Sequence, residues 1–163
     1  MDSFQNTDFG TPFVGTGSAI KINQRSIAGE FSKTALYRYI RISKQFEIYD
    51  AKCGIWLSVS CDEVKNRIFN FALSLQEDQE LDDICAALTD NILNAITRHL
   101  QCLVGVDENP VPKSRCIHLK NSMLIFDENI NDFISAKFSP EYNSRCQLDI
   151  NYNPQAKCPR FIN

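Results

Sequence analysis

Seven cysteines and two histidines are the side chains of this 163-residue chain best suited to nucleophilic or acid–base work. An imidazole changes charge near neutral pH, and beside a thiol it can generate an attacking thiolate, provided a third group orients it. Two neighbourhoods of this kind are legible. Cys116 and His118 fall on one side of a strand, and Cys85 shares a helical pattern with His99. A packed histidine is the plainer reading of each, and no orienting group is evident, so a small cysteine-dependent hydrolase is kept only as an alternative. Metal chemistry has less to work with. Cys53, Cys61, Cys85, Cys102, Cys116, Cys146 and Cys158 include no C-x-x-C pair, whereas zinc sites want ligands two to four residues apart. An odd count fits reduced thiols better than a secreted disulfide framework.

Phosphate chemistry is no better served. Gly15-Thr16-Gly17 lacks the third glycine, the preceding strand and the following helix of a nucleotide-binding loop, and no lysine-bearing phosphate loop occurs. Glu77, Asp78, Glu80, Asp82 and Asp83 crowd the start of a helix, where they complement its dipole. Asp127, Glu128 and Asp149 offer only a faint version of a two-metal carboxylate site. The chain is thus expected to hold no catalytic residue, metal or cofactor of its own and neither to bind nor to hydrolyse ATP.

The elements that carry these residues belong to one ordinary domain. With 44% hydrophobic and 23% charged residues, 11 Phe, 5 Tyr and one Trp, the chain can build a core without disulfides, and disorder is excluded. A net charge of −3 argues against a surface that grips nucleic acid everywhere. The charge is segregated: residues 62–108 hold ten acidic against three basic side chains, while the segments before 49 and after 108 each sum to +2. No secretory leader or apolar span is visible, so a cytoplasmic protein is expected.

The fold class expected is α+β, with a central antiparallel helix pair flanked by short β-hairpins and an extended C-terminal exit segment. Residues 1–26, rich in Gly, Ser, Thr and Asn, predict a weakly ordered arm before a domain over 27–163. Ala28–Ile42 has a helical face, although Tyr37–Ser43 alternates like a strand. Phe46–Tyr49 and Ile55–Val59 make a hairpin closed by Gly54. Ser60 and Glu63 fit a capping box ahead of a helix near Asp62–Leu75, and a second helical pattern runs from Leu81 to Leu103, ended by Gly105, with Ile92 and His99 on its apolar face. Trp56 is expected to pack near the pair. Arg115–Leu119 and Met123–Phe126 form a second hairpin around Lys120-Asn121-Ser122.

Three pieces in order carry a resemblance: Glu47-Ile48-Tyr49-Asp50 with Gly54-Ile55-Trp56; Ile117–Phe126 around Asn121; and Phe138-Ser139-Pro140-Glu141-Tyr142 followed by Asn151-Tyr152-Asn153-Pro154-Gln155-Ala156-Lys157-Cys158-Pro159-Arg160-Phe161. Together they resemble the poxvirus-type N-terminal helicase domain of phage and plasmid primase-helicases, over about Phe46–Phe161. Ser122 stands where that family usually has Gly and Asn153 where it usually has Asp, and both retain turn chemistry. In the residues' own terms Trp56 is core, Asn121 turns the chain, and Pro154 and Pro159 direct an extended exit; Pro140, Tyr142, Tyr152 and Cys158 are likewise architectural.

The resemblance implies a module standing before a superfamily 3 helicase motor, with Asn163 near the expected link and a phosphate loop downstream. It implies ATP and Mg²⁺ for that absent motor, homo-oligomeric rings in the full-length protein, DNA as a partner bound weakly by the module alone, and no membrane. The cations expected to meet DNA are Lys113, Arg115, Lys120, Lys137 and Arg145, although scattered solubilising charge explains them equally. A protein-interaction adaptor using the acidic helices, without a DNA role, remains the other reading.

Overall fold

The computed structural model describes residues 9–15, 20–78, 84–113 and 115–156, with the side chains of 77 and 78 excepted. They form an α+β protein whose chain divides into two compact units. The first runs through Ile48 and resumes from Ser58 to Asn109; the second takes Tyr49–Leu57 and the chain from Pro110 onward. Among the described residues no helix is long and apolar enough to cross a membrane.

In the first unit a short ribbon, β1 (Phe13–Val14) with β2 (Lys21–Ile22), leads into α1 (Gln24–Ser32). The side chain of Asn23 caps this helix by accepting from Ser26 N at 3.2 Å. The boundary expected after residue 26 therefore lies inside α1. The described parts of the expected arm are tied down because Phe13 and Ser26 are buried and the Ser26 hydroxyl donates to Gly10 O. The helix expected over Ala28–Ile42 stops at Ser32, where the Ser32 and Thr34 hydroxyls take the carbonyls of Gly29 and Phe31. Tyr37–Ile40 becomes strand β3, since its aromatic and β-branched side chains suit a pleated surface.

β3 pairs antiparallel with β4 (Gln45–Asp50) and parallel with β6 (Gly105–Val106); β5 (Ile55–Val59) follows β4, giving the order β5-β4-β3-β6. The β3–β4 register sets Arg38 opposite Glu47, and Arg38 Nε donates to Glu47 Oε2 at 2.6 Å with both side chains buried. Removing either partner would strand a buried charge, at a cost of about 3–5 kcal/mol.

α2 (Cys61–Asp78) opens on the expected cap, Glu63 N donating to Ser60 Oγ at 3.1 Å. The second helical pattern is shorter than expected: α3 spans Asp90–Leu103. It is preceded by a turn at Ile84–Leu88 and by Thr89 in extended backbone; the acidic run and Leu81 lie wholly or in their side chains outside the described residues. Starting at Asp90 resets the helical phase. The buried face is Leu93, Ile96, Thr97 and Leu100, so Ile92 is only partly buried and His99 is exposed rather than on the apolar face. α3 packs against α1 as well as α2, and the expected pair is part of a three-helix cluster with Phe31, Phe46, Val64 and Ile68 in its core. Gly105 is not a left-handed helix cap. It lies in β6, where a Cβ would meet Gln101 O at 2.5 Å.

Ile96→Asp should lower stability by at least ~3 kcal/mol, because it buries an unpaired charge. His99→Asp, on the exposed face, should leave the thermal midpoint nearly unchanged. Equal melting shifts in the two variants would mean that the helix phase is different.

Candidate functional site

The second unit begins with the tip of the β4–β5 hairpin. Gly54 turns it at φ +72°, a conformation open chiefly to glycine, and a Cβ there would stand 2.5 Å from Cγ of Phe138. Trp56 follows. Its backbone N–H donates to Ser144 O at 2.8 Å, its indole N–H to Pro140 O at 3.1 Å, and its ring lies 5.4 Å from that of Tyr49. Trp56 is thus core of this unit, with hydrogen-bond and ring partners within it.

The second hairpin forms as expected: β7 (Cys116–His118) pairs with β8 (Met123–Asp127). The apolar piece at Phe133-Ile134 extends it into a three-stranded sheet through β9 (Asp132–Ala136). A 3-10 turn at Pro140–Tyr142 follows, capped by Ser139 Oγ, and Asn143 leaves it in the left-handed conformation. The chain then runs extended beside β7. Leu148 N donates to His118 O and Lys120 N to Ile150 O, each at 2.9 Å. Asn121 does more than turn the chain: its side chain accepts from Tyr152 N at 2.7 Å and donates to Tyr152 O at 3.1 Å, imitating a strand partner. Asn153 Oδ1 accepts from Gln155 N across Pro154, the expected Asx turn. Cys158 and Pro159 lie outside the described residues.

His118 is buried in this arrangement. Its Nδ1 lies 2.7 Å from Ser144 Oγ, and Ser144 donates its only hydroxyl proton to Cys146 O at 2.9 Å. The ring's Nε2 lies 3.3 Å from Gln147 Nε2, so each ring nitrogen has a polar neighbour. Burial holds the His118 pKa below its ordinary 6.5, partly offset by the backbone of Cys53. The Cys116 thiol is also pushed up by burial, which the charge of Lys113 only partly opposes, so it stays protonated near neutral pH. Cys85 lies in the turn before α3 and not on the helix that carries His99. None of the six cysteines among the described residues is in a disulfide.

Beside His118 lies a cleft of about 320 Å³, lined by Pro112, Lys113, Cys116, Ile117, His118, Met123 and the Tyr142 to Leu148 stretch apart from Asn143. Of the five expected cations it gathers two. Lys113 holds its ammonium 5.6 Å from the Tyr142 ring centre, and Arg145 donates to Pro110 O at 2.9 Å. Arg115 pairs instead with Glu128 and covers the Phe126 ring, Lys120 pairs with Asp149, and Lys137 is exposed beyond β9 without lining the cleft. Those pairs disperse the carboxylates suspected of metal binding, and Asp127 accepts from Asn129. No group of three or more His, Cys, Asp or Glu among the described residues is arranged to hold a metal ion. Ser144, Cys146 and Gln147 carry no motif, and only their hydrogen-bonding capacity hinted at a place around His118. No protein-family model matches the chain, and no curated protein matches it.

Because folding suppresses protonation of His118, its contribution to stability is complete above pH 6.5 and lost as pH falls through the lowered folded-state value. Urea midpoints should therefore drop on acidification below pH 6.5, and the drop should be smaller in His118→Asn. An identical pH profile for the two proteins would remove His118 as its source. Gly54→Ala should destabilise the chain by about 1–2 kcal/mol in the same assay, from the strained φ and the Phe138 overlap.

Proposed function

We propose that this chain is a non-catalytic module of a phage- or plasmid-type DNA primase-helicase, helping a superfamily 3 motor to assemble as a ring and leading DNA to it in the cytoplasm. The observation that carries the reading is convergence. The motif positions of the resemblance come from stretches far apart in sequence, yet in one unit Trp56 bonds Pro140, Asn121 clamps Tyr152, and Gly54 makes room for Phe138. Residues that matter only as architecture have reason to keep such spacing. ATP and Mg²⁺ belong to the motor in this reading, and the module supplies Lys113 and Arg145 to the DNA backbone.

Two cations on one cleft give weak, sequence-independent attraction, with dissociation constants on the order of 10⁻⁴ to 10⁻⁶ M, which a ring of copies would multiply. Fluorescence anisotropy of a labelled oligonucleotide with this chain should show affinity falling as salt rises. Lys113→Glu combined with Arg145→Glu should weaken binding and flatten the salt slope, with the far-ultraviolet spectrum unchanged. Wild-type affinity and slope in the double variant would overturn the DNA half of the proposal.

A further inference from the structure

The same cleft is more than a pair of charges. Its wall is formed by Pro112, Ile117, Met123 and Leu148, with Met123 nearly fully buried and Leu148 about half exposed at the opening. Its volume, about 320 Å³, lies at the small end of ligand clefts, which run from about 300 to 1,000 Å³. Such a space admits one ring system and its sugar rather than a length of polymer. Its charge is one-sided. Lys113 and Arg145 line it, and none of its lining residues is Asp or Glu. Both cations are held in place, Lys113 over the Tyr142 ring and Arg145 on Pro110 O. The amide of Gln147 and the imidazole of His118 add polar edges to the apolar wall.

We infer that the cleft receives one unstacked base of a single nucleic-acid strand, with Lys113 and Arg145 against the phosphates on either side of it. This rests on the reading of the chain as a DNA-leading module, and it adds a requirement that phosphate attraction alone does not make. An apolar slot with fixed cations and no carboxylate suits a planar, weakly polar ring carried on an anionic backbone. A duplex offers no such ring without unpairing, so the cleft would distinguish single from double strands. No bond is made or broken.

The test compares two oligothymidylate strands of equal length, one intact and one with abasic sugars throughout, titrated against this chain by fluorescence anisotropy at one salt concentration. The intact strand should bind about tenfold more tightly, within the range that base contacts contribute elsewhere. Cys146→Trp, placed at an exposed position of the cleft lining, should fill the slot and erase that preference while the salt dependence persists. Equal binding of both strands by the wild type would overturn the base slot and leave the DNA reading standing. Binding of neither would overturn both. The strand comparison uses only the native chain, so misfolding of the variant cannot obscure it; a folded Cys146→Trp protein that keeps the preference would also overturn the assignment.

Discussion

The second unit depends on one close approach, that of Phe138 to the hairpin tip at Gly54. Nine residues, Tyr49–Leu57, are supplied to this unit by a hairpin whose strands otherwise belong to the first. Only a residue without a Cβ, in left-handed backbone, lets the Phe138 ring settle there. Once it does, Trp56 reaches Pro140 and Ser144 through its indole and backbone N–H groups. Those bonds join sequence positions more than eighty residues apart, and they fix the stretch that contributes Ser144 to Gln147.

Fixing Ser144 has a consequence for His118. The Ser144 hydroxyl lies within reach of both Cys146 O and Nδ1, Nε2 faces Gln147, and burial favours the neutral imidazole. The Gln147 amide in turn reaches Cys53 O and Leu119 O, which brings the hairpin tip, β7 and the extended run into one network. His118 is a member of the hydrogen-bond network that orders the cleft.

Both units carry exposed ion pairs, Arg67 with Glu63 among them in the first. In the first, the conspicuous pair is Arg38 with Glu47, buried and set by strand register. In the second, Arg115 and Lys120 meet Glu128 and Asp149 at exposed positions, where pairing contributes little to stability but lowers the local positive field. Lys113 meets the Tyr142 ring and Arg145 the Pro110 carbonyl, and both side chains line the cleft.

Local chemistry determined much of this by itself. Ser60 and Glu63 announced the start of α2, Gly54 the first hairpin, and Asn121 and Asn153 their turns, because each signal acts within a few residues. The mixed α+β class followed from the same local patterns. Tertiary structure decided where α1 and α3 begin and end, since Tyr37–Ile40 gains more from pairing with β4 and β6 than from continuing a helix, and the reset at Thr89 turned His99 outward. It also decided which cations share a surface. Whether Lys113 lies beside Arg145 depends on chain crossings between residues thirty-two positions apart in sequence, and no local periodicity encodes such a meeting.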